Sequence, residues 1–158
     1  MQPQPSMTSY REPRSFAEFY RSSAYSRFPQ EHRSHAWSGF KAFIVDQKPH
    51  DFTDIASSDW VLGLPLRAAC PTRFDYGDGW KQRQRGRGDF LLVPPGTEVR
   101  YEIAGPTRLL VLTWAGGTLT DLDDELFADE EAALRPLIGR YFKNNVVEQV
   151  CRTLWIEM

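Results

Sequence analysis

The segment Gly88-Asp89-Phe90-Leu91-Leu92-Val93-Pro94-Pro95-Gly96-Thr97-Glu98-Val99 constrains the fold of this chain more than any other. Its apolar centre, Phe90 to Val93, is too short for a helix and is bounded by turn formers on both sides, so it predicts a buried strand. Gly88-Asp89 supplies a tight turn before it. Pro94-Pro95-Gly96 after it sets φ at the prolines and admits positive φ at the glycine. The same grammar extends in both directions: short extended runs at 39–46, 60–68, 81–85, 89–93, 98–103 and 107–114, with turn signals at Pro49-His50-Asp51, Asp75-Tyr76-Gly77-Asp78-Gly79 and Ala104-Gly105-Pro106. Many short strands at this spacing predict an antiparallel sandwich or barrel.

The flanks differ in character. Residues 1–36 are poor in aliphatic side chains and scattered with Pro, Ser and Arg, so they read as an arm rather than as sheet. Within the arm, Ser15-Phe16-Ala17-Glu18 has capping-box spacing, and Phe16, Phe19, Tyr20 and Ala24 share one helical face that needs a surface to cover it. After Gly116-Gly117 the pattern turns helical. Residues 121–131 hold seven carboxylates and no basic residue, which suits a solvated link and a helix start. The stretch 145–158 repeats Val146, Val147, Val150, Cys151, Leu154 and Trp155 at helical spacing. Val147, Val150, Leu154 and Trp155 make one side of that helix too apolar for water, and a two-fold contact between two copies is expected to bury it. The chain thus divides into an arm (1–36), a barrel (37–118), and an acidic link with dimerisation helices (119–158).

Composition narrows the chemistry. Nineteen basic against 21 acidic side chains leave a net charge of −2, with no global positive field to attract nucleic acid or anionic lipid. No run approaches bilayer length and no signal core leads the chain, so a cytoplasmic location without membrane contact is expected. Cys70 and Cys151 each lack a second cysteine nearby, which speaks against a zinc knuckle or a disulfide framework. His32 and His35 lie in the polar arm and His50 in a predicted turn, and no phosphate loop, Gly-x-Ser-x-Gly or dinucleotide motif is present. No metal, no cofactor and no enzymatic activity are therefore expected. The alternating run Lys81-x-Arg83-x-Arg85-x-Arg87 projects four cations to one strand face, either as a solvated surface or as an anion-attracting wall beside a pocket.

The run from Gly88 to Val99 resembles the second motif of the cupin superfamily, with Val99 standing where that motif carries a metal-binding histidine and with no histidine between Arg73 and Arg87 for the first motif. The resemblance implies a metal-free cupin-like double-stranded β-helix, a mainly β jelly-roll barrel, with C-terminal α-helices. From Trp37 to Met158 the order of features resembles the effector-binding and dimerisation domain of AraC-family transcription regulators. These features are the Asp59-Trp60 strand ending in Arg67, the Gly88-Asp89 to Pro95-Gly96 strand, the Gly105-Pro106 turn, the apolar strand reaching Trp114, the acidic link and the terminal helix. That resemblance implies a homodimer that senses a small-molecule effector, with DNA read by a helix-turn-helix domain absent from these residues.

Carried onto this sequence, the effector contacts would be Arg67 by hydrogen bonding, Tyr101 by a polar edge and Trp114 by stacking. Leu112 stands where sugar-binding members keep a histidine. On strand 60–68, Arg67 shares a face with Val61, Gly63 and Pro65, all small or compact, so that face leaves room for a ligand. An effector with an anionic or strongly polar group, closer to an aromatic acid than to a sugar, is expected between Arg67 and Trp114. The rival expectations are a stand-alone cupin-type enzyme and a dimerisation module with a filled core.

Overall fold

The computed structural model describes residues 15–67 and 70–158. Nine strands among them form two antiparallel sheets that close face to face. One sheet has five strands in the order β1 (Gln30–Ser34), β2 (Lys41–Gln47), β9 (Thr107–Ala115), β4 (Asp59–Pro65) and β7 (Leu91–Val93). The other has four, in the order β3 (His50–Asp54), β8 (Val99–Ile103), β5 (Cys70–Asp75) and β6 (Lys81–Arg85). Helix α1 (Phe16–Ser22) precedes the sheets, and α2 (Thr118–Leu122), α3 (Glu130–Leu134) and α4 (Asn145–Glu157) follow them. No helix among the described residues is long and apolar enough to cross a membrane.

Strand β9 lies at the centre of the five-stranded sheet, pairing β2 on one side and β4 on the other. Its nearly continuous apolar run has a physical cause, since both faces are covered. Leu109 and Val111 point into the barrel, while Leu110, Leu112 and Trp114 point outward into a second core roofed by the C-terminal segment. Strand β4 divides in the same way, with Val61 and Gly63 inside and Trp60, Leu62 and Leu64 outside. The outer core is closed by residues 134–158, among them Val147, Cys151, Leu154 and Trp155 of α4. The segment before α4 also adds to the sheet edge: Phe90 and Phe142 exchange backbone hydrogen bonds of 2.8 and 3.1 Å.

Three features depart from the expectations above. Gln30–Ser34, expected within the arm, is the edge strand β1 and pairs with β2 in register His32↔Phe43. His50, expected in a turn, begins β3 and is buried, and Cys70–Asp75 forms a strand where none was expected. These strands are rich in His, Asp, Pro, Thr and Arg, which carry little strand signal alone. Pairing to β2 for the first and to β8 for the other two, with packing against the aromatic core, overrides that weakness. The capping residue Ser15 does begin α1, accepting the Glu18 N–H at 3.2 Å.

Candidate functional site

The aromatic face of α1 does not lie on the outside of the barrel: it fills the barrel's end. Phe16, Tyr20 and Tyr25 line the interior together with side chains from both sheets, and all three are buried. Tyr20 and Tyr25 stack with ring centroids 4.0 Å apart, and Tyr20 also lies against Phe43 at 4.6 Å. Gln30 ties this turn down, its Nε2 donating to the carbonyls of Tyr20 at 3.1 Å and Tyr25 at 2.7 Å.

What remains inside is a cavity of about 40 Å³ with an uneven lining. Val61, Leu91, Val93, Ile103, Leu109 and Val111 make apolar walls, and Gln47, His50, Asp54, Arg85 and Tyr101 bring polar groups to the same space. Burial pushes the hydroxyls of Tyr20, Tyr25 and Tyr101 well above the usual phenol range, so they are neutral hydrogen-bonding groups. Burial likewise pushes the Asp54 carboxyl up to about 7, against the opposing effects of a hydrogen bond with Tyr25 and the charge of Arg85. The His50 ring is held below its ordinary value, again chiefly by burial.

Arg85 is the unusual group. It is 5% exposed, and among the described residues its Nε has no hydrogen-bond partner and no carboxylate pairs with it within 4.0 Å. Its guanidinium lies over the Tyr141 ring, 5.4 Å from the centroid. Gly63 makes the space: a Cβ there would meet Arg85 Nη2 at 3.1 Å. Gln47 Oε1 and Asp54 Oδ1 are also buried without partners, so three unsatisfied polar atoms line one small chamber. Buried polar atoms are ordinarily paired, with protein or with water, so this cluster is the polar part of the interior that the protein's own side chains leave unsatisfied.

The residues expected to hold an effector are not brought together. Arg67 lies past the end of β4 and is exposed, bordering a shallow hollow at the barrel end beside Lys48 and Pro106. The small face of β4 does point inward as expected, but the strand stops at Pro65 and Arg67 leaves the barrel. Trp114 and Leu112 share a face, and that face is the outer one. Trp114 stacks near Trp60 at 6.3 Å, and both indoles donate to the carboxylate of Glu130 at 3.1 Å, which closes them to a ligand in the barrel. Only Tyr101 of this set lines the chamber. The interior cation comes instead from the alternating basic run. The sequence left that run open between a solvated face and a wall beside a pocket; Arg85 turns inward and is covered by Tyr141, 56 positions later. Arg83 and Arg87, on the same alternation, stay exposed.

The proposed dimer face is also divided. Val147, Leu154 and Trp155 pack on the protein's own outer core, whereas Val150 is 51% exposed beside Val146 and Ile156, each 71% exposed. Among the described residues no three His, Cys, Asp or Glu side chains converge as a metal site would require.

No family model and no curated protein matches the chain by sequence. Solved structures do. The AraC-like transcriptional activator CuxR superposes with a TM-score of 0.56 at 14% identity, over 84% of this chain and 46% of that one. The cupin domain of Cnp3 from Schizosaccharomyces pombe gives 0.43 at 11% identity, over 60% of this chain and 64% of that one. An ethanolamine utilization protein from Salmonella typhimurium gives 0.45 at 11%, over 56% of this chain and 69% of that one. The fold is a mainly antiparallel two-sheet β architecture with short helices, and it is the fold of the AraC-like activator over most of this chain.

Proposed function

We propose that this chain is the small-molecule-sensing and dimerising domain of an AraC-like bacterial transcription regulator. The observation that carries this reading is the chamber itself. A barrel serving only as a scaffold is filled by apolar side chains, whereas this one holds Arg85, Asp54 and Gln47 with unsatisfied atoms facing a tyrosine-lined space. The likeness of fold to an AraC-like activator over 84% of the chain supports the class. The exposed apolar stripe of α4, Val146, Val150 and Ile156, supports self-association. On this reading the domain binds rather than catalyses, uses no cofactor, and leaves DNA contact to a helix-turn-helix domain outside these residues.

One observation favours a second reading, a dimerisation module with a filled barrel. With α1 seated, the 40 Å³ cavity has room for only a few waters. Native mass spectrometry of the purified protein separates the two. A dimer carrying a small molecule that is released on denaturation is expected for a sensor. A bare chain whose melting temperature no small organic compound shifts would leave the filled module.

A further inference from the structure

We infer that the barrel's occupant is a small organic monoanion whose carboxylate pairs with Arg85. This rests on the sensor reading and adds the chemical class of the ligand. A guanidinium removed from water is costly unless an anion and further hydrogen bonds replace its hydration. Among the described residues no carboxylate pairs with Arg85 within 4.0 Å: the residue is 5% exposed, its Nε is unpartnered, and its guanidinium lies over the Tyr141 ring. The Tyr141 hydroxyl is itself buried and unpartnered.

Asp54 is not in ion-pair contact with Arg85: among the described residues no cation lies within 4.0 Å of its carboxyl, and burial raises that carboxyl to about 7 although Arg85 acts on it in the opposite sense. The tyrosines around Arg85 are neutral for the same reason, burial. The chamber therefore presents a buried guanidinium with no carboxylate in contact with it among the described residues. A carboxylate is planar and matches the guanidinium fork with two parallel hydrogen bonds. A dianion such as a phosphate ester would leave excess negative charge buried beside Asp54. The remaining walls, including Val61, Leu91, Ile103 and Val111, are apolar, and the 40 Å³ between them sets a short tail. Gly63 keeps the space over the guanidinium clear, since a methyl there would stand 3.1 Å from Nη2.

The test compares acids with their neutral amides: acetate against acetamide, and propionate against propionamide, at constant ionic strength in chloride. Wild type, Arg85→Met, Arg85→Lys and Gly63→Ala are followed by thermal unfolding and calorimetric titration. At least one acid should raise the wild-type melting temperature while its amide does not. Arg85→Met should abolish the shift, and Arg85→Lys and Gly63→Ala should weaken binding about tenfold, because the fork is lost or crowded. Unliganded Arg85→Met should melt above wild type, an unpaired buried charge having been removed. An amide that binds as well as its acid, or full binding by Arg85→Met, would overturn the monoanion while leaving the sensor reading in place. No shift with any compound, together with an Arg85→Met that melts below wild type, would overturn both and make Arg85 a structural cation.

Discussion

The buried carboxylate of Asp59 accepts a 2.8 Å hydrogen bond from the backbone N–H of Phe16, 43 residues earlier in the chain. The first residue of β4 thus pins the first turn of α1 at the mouth of the barrel, satisfying a donor that no helical carbonyl can reach. Asp59→Ala should cost about 1–2 kcal/mol, the value of a lost charged cap. Trypsin cleavage at Arg21 and Arg27 should accelerate in the variant and slow again when the barrel is occupied. Equal cleavage of variant and wild type would mean that aromatic packing alone seats the helix.

Glu130 holds the junction between the barrel and the C-terminal helices. Its carboxylate accepts from the indoles of Trp60 and Trp114 and from the backbone N–H groups of Gly117 and Leu119, at 2.6–3.1 Å. Removing it by Glu130→Ala strands four donors, which should cost about 3 kcal/mol or more in urea unfolding. Glu130→Gln, which keeps one acceptor oxygen, should cost less than the alanine variant. A loss below about 1 kcal/mol for Glu130→Ala would show that the junction is held by packing.

Self-association should follow the exposed stripe of α4 rather than its buried side. Val150→Asp and Ile156→Asp are expected to shift light-scattering mass from dimer to monomer with little change in melting temperature. Leu154→Asp should instead lower the melting temperature, because Leu154 packs on the protein's own outer core. A monomeric wild type would remove the proposal, and an unchanged dimer in the double variant would move the interface elsewhere.

Asp54 and His32 impose opposite pH dependences. The Asp54 carboxyl is raised to about 7, so between pH 4 and 7 the folded protein holds a proton that the unfolded chain has released, and stability falls as pH rises. The His32 ring is lowered to about 4 by burial first and by Arg21 second, so between pH 4 and 6.5 the unfolded chain holds the extra proton and stability rises. Asp54→Asn removes the first effect. Its stability relative to wild type should improve from pH 4 to pH 7 by on the order of 3 kcal/mol, read from urea midpoints. A difference that does not change with pH would place the Asp54 carboxyl near its ordinary value in the folded state.

The architecture was legible because turns and strands carry local signals. Lys81–Arg85 was predicted to the residue, and the inward direction of the small face of β4 followed from simple alternation. Direction alone does not say where a strand ends or what covers it. Arg67 has the parity of Val61 and Gly63 but lies beyond Pro65, where the pleat has ended. Trp114 and Leu112 have the correct common face, yet β9 is buried on both sides and its periodicity cannot distinguish the inner core from the outer one. Arg85 stood in plain view in the basic run, and only the long-range fold, which lays Tyr141 over it, separates it from the exposed Arg83.

Val111 and Leu112 are neighbours in the chain, and they look into different compartments: Val111 into the chamber, Leu112 into the seat of α4. One peptide unit, rather than a relay of side chains across the protein, separates the wall of the chamber from the bed of the terminal helix. A molecule that presses β9 outward from within moves the surface on which α4 rests in the same displacement, and β9 has little slack to absorb it, being paired on both edges from Leu109 to Thr113.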